Sequence, residues 1–299
     1  MYYCYIILGK VSIMEKIAIL TDSCADVPQE FINQYHIYTV PMMVTTENQS
    51  YRDGIDITAQ DVYQLQQSHI LKTSSPKGED VISTLKQIKA DGYSHVIILT
   101  IASALSGTVN QIRIFAQDVD DLVIEVFDSK SASIGNGIIA IETARLRDSG
   151  LSFDKLKEKV AQLIENTYVY FSIDTLEYLQ KGGRIGKATA FVGGALKIKP
   201  ILSFEKEAGT IYVPAKVRGN KKVKAQLIKL ISKHVEEHPE RSFQIVVADG
   251  GNPDEHQVLE EEIRQLFPQA KKLINAKIGA ALSTYLGSGL LGAGIQFID

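Results

Sequence analysis

Residues 96–108 read VIILTIASALSGT, a run of apolar and β-branched residues that ends in hydroxyl side chains and a glycine. A short apolar run bounded by turn residues is typical of a strand buried on both faces, and we predict one at 96–100. A helix is predicted at 108–117 and a second apolar strand at 123–127. Strand, helix and strand in this order indicate a βαβ unit and therefore a parallel sheet.

The same alternation runs through the rest of the chain. Further strands are predicted at 17–20, 38–44, 168–172, 243–248, 272–276 and 295–298, and a hairpin at 201–204 and 210–214. Further helices are predicted at 59–68, 76–90, 138–148, 154–166, 221–237 and 254–267. We therefore predict an α/β fold with two domains. Residues 14–166 form a mostly parallel sheet flanked by helices, residues 167–299 a mixed α/β domain, and residues 1–13 a non-native or disordered extension.

The composition excludes several classes of protein. The 299 residues include 32 Lys and Arg against 35 Asp and Glu, a formal net charge of −3, whereas a dedicated nucleic-acid binder needs a strongly basic face. Two cysteines, Cys4 and Cys24, are too few for a disulfide framework and have no metal-ligand spacing. This favours a reducing, cytoplasmic location. No apolar run reaches the roughly 18 residues of a membrane span.

Hydroxyl-rich loops follow the predicted strands, where open α/β sheets bind ligands. Residues 73–76 (TSSP) suggest a helix start, with Ser75 as N-cap and Pro76 as the first helical residue. Residues 103–108 (SALSGT) carry three hydroxyls and a glycine, and residues 128–131 (DSKS) follow another strand. Hydroxyls and free N–H groups at helix starts suit a carboxylate or a phosphate. Simple helix capping is the alternative for each loop.

Two glycine patterns and a histidine pair have alternative interpretations. Residues 135–140 (GNGIIA) fit a dinucleotide fingerprint but begin several residues after their strand, and residues 287–292 (GSGLLG) have too little chain behind them. Both are interpreted as close-packing glycines, with a nucleotide-dependent oxidoreductase or phosphotransferase as the alternative. His234 and His238 could ligate a metal, but Pro239 and the neighbouring glutamates favour a solvated helix end. Carboxylates are spread over helix surfaces without a paired set, so neither a metal site nor acid–base chemistry is predicted. No cofactor is predicted either.

Two basic segments are candidate anion or partner sites. Residues 181–187 (KGGRIGK) combine glycines, which allow close backbone approach, with Arg184, a planar donor for an oxyanion; a solvated surface loop is the alternative. Positive side chains also crowd a predicted helix start, against the helix dipole: Lys216, Arg218, Lys221, Lys222 and Lys224. This patch could dock an acidic partner or be a solvated face. A regulatory role on nucleic acid would rest on it alone.

Several of these segments occur in a familiar order. TDS at 21–23, TSSP at 73–76, SALSGT at 103–108, DSKS at 128–131, LQKGGRI at 179–185 and the tail at 278–289 together resemble the DegV family of bacterial fatty-acid-binding proteins, over residues 14–299. The resemblance implies a long-chain fatty acid buried between the two domains. It also implies a non-catalytic subunit that presents the carboxylate to a separate ATP-dependent fatty acid kinase. The acyl phosphate would then enter phospholipid synthesis.

The resemblance also assigns residues. Thr73 and Ser106 would hydrogen-bond the carboxylate, with Arg184 near the head group and the product phosphate. Ser103, Gly107 and Tyr285 would lie in the same vicinity, and Arg218 would dock the kinase. The family's C-terminal histidine before Gly-Pro-Gly is replaced here by Tyr285 before Leu-Gly-Ser-Gly, and Tyr285 stays uncharged at neutral pH. Ser75 replaces the glutamine of Thr-Ser-Gln-Pro. Residues 191–196 could line the acyl channel or be ordinary core, and a transient membrane-surface contact remains open.

Overall fold

The computed structural model describes residues 15–192 and 198–299. The predicted extension at residues 1–13 and Cys4 lie outside the described residues. The strands are β1 (Ile17–Asp22), β2 (Ile37–Val40), β3 (Met43–Thr45), β4 (Ser50–Arg52), β5 (Lys72–Ser74), β6 (His95–Thr100), β7 (Val123–Asp128), β8 (Thr167–Ser172), β9 (Ile198–Phe204), β10 (Ile211–Arg218), β11 (Phe243–Gly250), β12 (Leu273–Lys277) and β13 (Leu290–Phe297). The helices are α1 (Gln29–Tyr35), α2 (Ala59–Leu65), α3 (Gly78–Ala90), α4 (Thr108–Ala116), α5 (Ile134–Asp148), α6 (Phe153–Glu165), α7 (Glu177–Lys181), α8 (Val223–Glu237), α9 (Pro253–Leu266) and α10 (Ala280–Leu286).

A parallel sheet with strand order β2-β1-β6-β7 forms the first half of the fold. Alternate side chains of its inner strands belong to different cores. Ile19 and Ile97 belong to the core that includes α5, whereas Leu20 and Ile98 pack in the core with α3 and α4. Burial on both faces explains why these strands are continuously apolar. The predicted parallel sheet flanked by helices is confirmed.

A mixed sheet with strand order β10-β9-β8-β13-β11-β12 forms the second half. Its only parallel pair is β11–β12, and β9 and β10 form the predicted hairpin. Helices α8 and α9 cover one face, and α5, which also contacts β1 and β6, packs against the other. The helix between the two sheets joins both halves in one core, so the α/β fold class is confirmed. Asn166, between α6 and β8, marks the predicted domain boundary, and the division itself stays a prediction.

A third, antiparallel sheet with order β4-β3-β5 was not predicted, and the strand predicted at 38–44 is wrong as a single strand. Pro41, which has no N–H for a ladder hydrogen bond, separates β2 in the parallel sheet from β3 in this sheet. The helix start predicted at Ser75 is also wrong, because α3 begins at Gly78 after Lys77. The Ser75 hydroxyl instead accepts a hydrogen bond from Thr108 Oγ1 at 3.1 Å.

Three short helices, α1, α7 and α10, were also not predicted. Helix α10 spans seven residues between Gly279 and Gly287, too few for a clear helical period. In the part of the chain that is described, no helix is long and apolar enough to cross a membrane.

Candidate functional site

An apolar cavity lies between the inner face of the mixed sheet and the loops that follow β1, β6 and β7. The cavity is narrow, and together with the open space at its mouth it has a volume of about 760 Å³. Its walls include Cys24, Ile101, Ala132, Val169, Phe171, Ala281, Leu282, Leu290 and Gly292. Such a cavity fits a slender apolar ligand.

Strand β13 keeps the cavity open with a residue that has no side chain. Leu291 and Ala293 pack toward α8 and α9, whereas Leu290 and Gly292 line the cavity. A Cβ at Gly292 would lie 3.4 Å from its nearest neighbours, an ordinary contact distance. The backbone at Gly292 therefore accepts a side chain, which would occupy space that is now empty.

Polar side chains meet where the cavity wall is partly exposed. Thr73 Oγ1 on β5 lies 2.9 Å from the Tyr285 hydroxyl on α10, and the Thr73 backbone N–H donates to the same hydroxyl at 3.2 Å. The Arg184 guanidinium lies 5.2 Å from the centre of the Tyr285 ring, within the range of a cation–π interaction. Three side chains predicted to lie near a head group are thus in contact on the wall.

Arg184 also reaches the loop that carries Ser106. Its Nε donates to the Leu105 carbonyl at 3.2 Å, and its Nη1 donates to the Gly182 carbonyl at 2.5 Å. Ser106 Oγ lies 2.8 Å from Thr108 Oγ1. We call Thr73, Ser106, Arg184 and Tyr285, which all line the cavity, the polar cluster. The cluster joins both halves of the chain around one mouth of the cavity.

Glycines in the basic segment allow this approach, as the sequence predicts. A Cβ at Gly182 would lie 2.4 Å from the Tyr285 ring, and Gly183 and Gly186 have positive φ angles of 71° and 53°. At Gly186 a Cβ would also meet the Ile211 carbonyl oxygen at 2.4 Å. The alternative of a wholly solvated loop is wrong for this segment, because Ile185 is buried and Arg184 is tied to the cavity wall.

The structure does not bring the other predicted site residues to the cavity wall. Ser103 is exposed and its N–H donates to Asp128 Oδ1 at 3.1 Å, while Gly107 is exposed at the start of α4. Arg218 is exposed at the end of β10. Of the predicted lining segment 191–196, residues 193–196 lie outside the described residues, and the first two residues are not on the wall.

The structure also tests the alternative interpretations of the glycine pattern at 135–140 and of the histidine pair. Residues 135–140 lie inside α5, where a Cβ at Gly137 would come 2.3 Å from the Ala25 carbonyl oxygen. Close packing is therefore confirmed there, and the segment is not a strand-to-helix turn. The solvated helix end predicted for His234 is wrong: its ring stacks on Tyr168 at 4.0 Å and its Nε2 lies 2.7 Å from the Tyr170 hydroxyl. Within 15–192 and 198–299, no His, Cys, Asp and Glu residues group as metal ligands.

Three carboxylates, of which Asp22 and Asp53 are buried and Asp26 is half-buried, form a group that the sequence analysis missed. Asp22 accepts from the backbone N–H groups of Cys24 and Ile101 at 3.0 and 2.8 Å. Burial raises the pKa of Asp22 to about 7, opposed by these two donors. Asp22 and Asp26 lie four residues apart at the end of β1 and in the loop after it, whereas Asp53 comes from a separate segment after β4, so only the fold brings all three together. The prediction that carboxylates are spread over helix surfaces is therefore wrong for this group.

The other two carboxylates hold the start of α10. Asp26 accepts from the Gly279 N–H at 2.9 Å and from the Ser133 hydroxyl at 2.5 Å, and Asp53 accepts from the Ala280 N–H at 2.9 Å. Burial raises the pKa of Asp26 to about 8 and also raises the pKa of Asp53. These acceptors satisfy backbone N–H groups at the start of α10, so this group positions the helix that carries Tyr285.

A family model described as "Uncharacterised protein, DegV family" matches residues 16–297. The chain belongs to the DegV family. A DegV domain-containing protein of Clostridium acetobutylicum is 35% identical over 279 residues, which cover 93% of this chain and 98% of that protein. Protein DegV of Bacillus subtilis is 30% identical over 282 residues, 92% of this chain and 97% of that one. The resemblance predicted from the ordered motifs is confirmed.

Solved DegV structures share the fold. A structure described as fatty acid binding of a DegV family protein from Thermus thermophilus aligns with a TM-score of 0.87 and 28% identity, over 94% of this chain and 99% of that one. DegV of Bacillus subtilis, described as a fatty acid binding protein, aligns with a TM-score of 0.84 and 28% identity, over 95% and 99%. Fatty acid binding is thus documented for DegV proteins of this fold.

Proposed function

We propose that this DegV protein binds a long-chain fatty acid, with the acyl chain in the cavity and the carboxylate at the polar cluster. The observation that carries the proposal is a narrow apolar cavity with hydroxyl donors and an arginine at one mouth. Each CH₂ group transferred from water to such a cavity is worth about 0.8 kcal/mol. The acyl chain therefore supplies most of the affinity, and the head group needs only a few directed hydrogen bonds.

We expect the purified protein to carry lipid. Denaturing extraction followed by mass spectrometry should release a fatty acid of one or two chain lengths, and delipidated protein should gain thermal stability when fatty acid is added, since a ligand that binds only the folded state stabilises it. Lipid-free protein that shows no thermal shift with any fatty acid would contradict the proposal.

In the proposed complex, the Thr73 and Ser106 hydroxyls donate to the carboxylate. Ser106→Ala should then weaken fatty acid binding by about 1–2 kcal/mol, the value of a lost hydrogen bond. Titration calorimetry with delipidated protein measures this difference. Ser103→Ala, an exposed hydroxyl on the same loop and away from the cavity wall, is the matched control and should bind as the wild type does. Equal affinity of Ser106→Ala and wild type would remove Ser106 from the site.

The proposed role extends to a partner: the protein presents the carboxylate to a separate ATP-dependent fatty acid kinase subunit and is not itself catalytic. Arg218, exposed at the end of β10, is proposed to dock that subunit. Acyl phosphate should form from ATP only when the kinase subunit is added, and Arg218→Ala should slow its formation about tenfold without changing fatty acid affinity. Lys229→Ala, exposed on α8, is the control. Acyl phosphate made by the isolated chain would refute the non-catalytic assignment.

A further inference from the structure

A second, more polar slot adjoins the apolar cavity where β8 and β9 separate. The two strands pair only at Phe171 and Leu202. Beyond this pair, side chains rather than backbone N–H groups donate to the carbonyls of β8 and the residues before it. Ser203 Oγ donates to the Val169 carbonyl at 2.8 Å. Lys206 Nζ donates to the Thr167 carbonyl and to the Ile164 carbonyl, the latter at 3.3 Å. Together with the open space at its entrance, the slot has a volume of about 630 Å³.

The slot and the cavity share part of their walls. Val169, Tyr170 and Phe204 line both, and the Phe204 ring packs 5.6 Å from the Phe171 ring of the cavity. The slot therefore adjoins the cavity at these three residues. The far wall of the slot comes from the first half of the protein, through residues 129–131.

The charged side chains that line the slot are all positive. Among the described residues that line it are two lysines but no Asp or Glu. Lys130 is paired with Asp128 at 2.9 Å, whereas Lys206 has no ion-pair partner in the described parts of the chain and lies 3.8 Å from the centre of the Tyr168 ring. Burial lowers the pKa of Lys206 to about 8, which leaves most of it protonated at neutral pH. A mostly buried ammonium group without a carboxylate is costly, and an anionic ligand would offset that cost.

Hydroxyl groups complete the slot. Ser131 is 6% exposed, and its Oγ has no hydrogen-bond partner, an unusual state for a buried polar atom. The Tyr212 side chain also lines the slot. His234 adds no positive charge, because burial lowers its pKa to about 4. The Ser131 Oγ packs against Gly135, where a Cβ would lie 2.0 Å from it, so the group that the slot offers to an acceptor is the Lys206 ammonium.

We propose that the slot binds the distal carboxylate of an α,ω-dicarboxylic acyl chain whose other carboxylate lies at the polar cluster. This rests on the proposed fatty acid binding. A monocarboxylic chain places only a methyl end beside Lys206 and leaves the ammonium group to water. A second carboxylate forms a charge-assisted hydrogen bond with Lys206.

The test compares α,ω-dicarboxylic acids with monocarboxylic acids of the same chain lengths, by calorimetry on delipidated protein. At one chain length or more, the dicarboxylic acid should bind at least about tenfold more tightly than its monocarboxylic match. Lys206→Met, which keeps the length of the stem, should abolish this preference and leave monocarboxylic binding unchanged. Lys187→Met, an exposed lysine paired with Glu205, is the control and should keep the preference.

Lys206→Gln provides a second variant, which keeps a hydrogen-bond donor for the backbone carbonyls but removes the positive charge. It should reduce the dicarboxylic preference about threefold. If monocarboxylic acids bind and no dicarboxylic acid binds more tightly, the inference about the slot is wrong while the proposed function stands. If no fatty acid binds, the proposed function itself fails. Acetate binding that depends on Lys206 and needs no acyl chain would instead make the slot an independent anion site and overturn the proposal.

Discussion

Gly292→Leu should reduce fatty acid affinity by more than about a hundredfold while the protein stays folded. The new side chain enters the cavity from β13 and displaces roughly four CH₂ groups of the ligand, each worth about 0.8 kcal/mol. Titration with a delipidated variant measures the loss, and circular dichroism checks the fold. The backbone accepts the change because a Cβ at Gly292 meets its nearest atoms at 3.4 Å.

One comparison makes this result specific to the cavity. Gly292→Ala adds one methyl group and should bind nearly as well as the wild type. Gly294, on the same strand, is unsuitable for the test, because a Cβ there would lie 2.7 Å from Val169 Cγ1 and would disturb the sheet itself. Retained affinity in a folded Gly292→Leu protein would mean that the acyl chain does not occupy this cavity.

Much of the fold could be predicted because burial produces a pattern of apolar residues among neighbouring positions of the sequence. Strands such as β6 are apolar at nearly every position, since the cores on both faces of the sheet need apolar side chains. Long amphipathic helices such as α3 show their period over several turns. The short helices and strands have too few residues to show such a pattern. Helix α10 has only seven residues, and Pro41 divides one apolar run between two sheets.

Some residues of the candidate site could be predicted from the sequence and others could not, for a related reason. Thr73, Ser106, Arg184 and Tyr285 were found through ordered motifs, and the structure places all four on one cavity wall. Gly292 was noticed only as part of a glycine pattern, because nothing local shows which face of a strand a missing side chain opens. Asp22 and Asp26 are close in the sequence, but Asp53 comes from a separate segment that only the fold brings to them. Contacts between distant segments have no sequence period.

The second large effect concerns these carboxylates and pH. Because the pKa of Asp26 is raised from 3.8 to about 8 in the folded state, the folded protein binds more protons than the unfolded chain between these values. Stability therefore falls as pH rises from about 4 to about 8. Asp22, with a pKa raised to about 7, acts in the same direction. Unfolding in urea at a series of pH values should show this decline.

Asp26→Asn should reduce the decline in the free energy of unfolding over this pH range by about 1–2 kcal/mol. This value is at the low end for such a pKa shift, because Asp26 keeps some contact with solvent. The amide can still accept from the Gly279 N–H and can donate to the Ser133 hydroxyl, so the variant should be more stable than the wild type near pH 8. Asp56→Asn is the control, because the pKa of Asp56 is shifted in the opposite direction. The hydrogen bond from Arg52 holds the pKa of Asp56 at about 2, so its contribution is lost only in acid. An unchanged slope in Asp26→Asn would mean that Asp26 is ionised in the folded protein across this range, and that the three carboxylates hold α10 as anions.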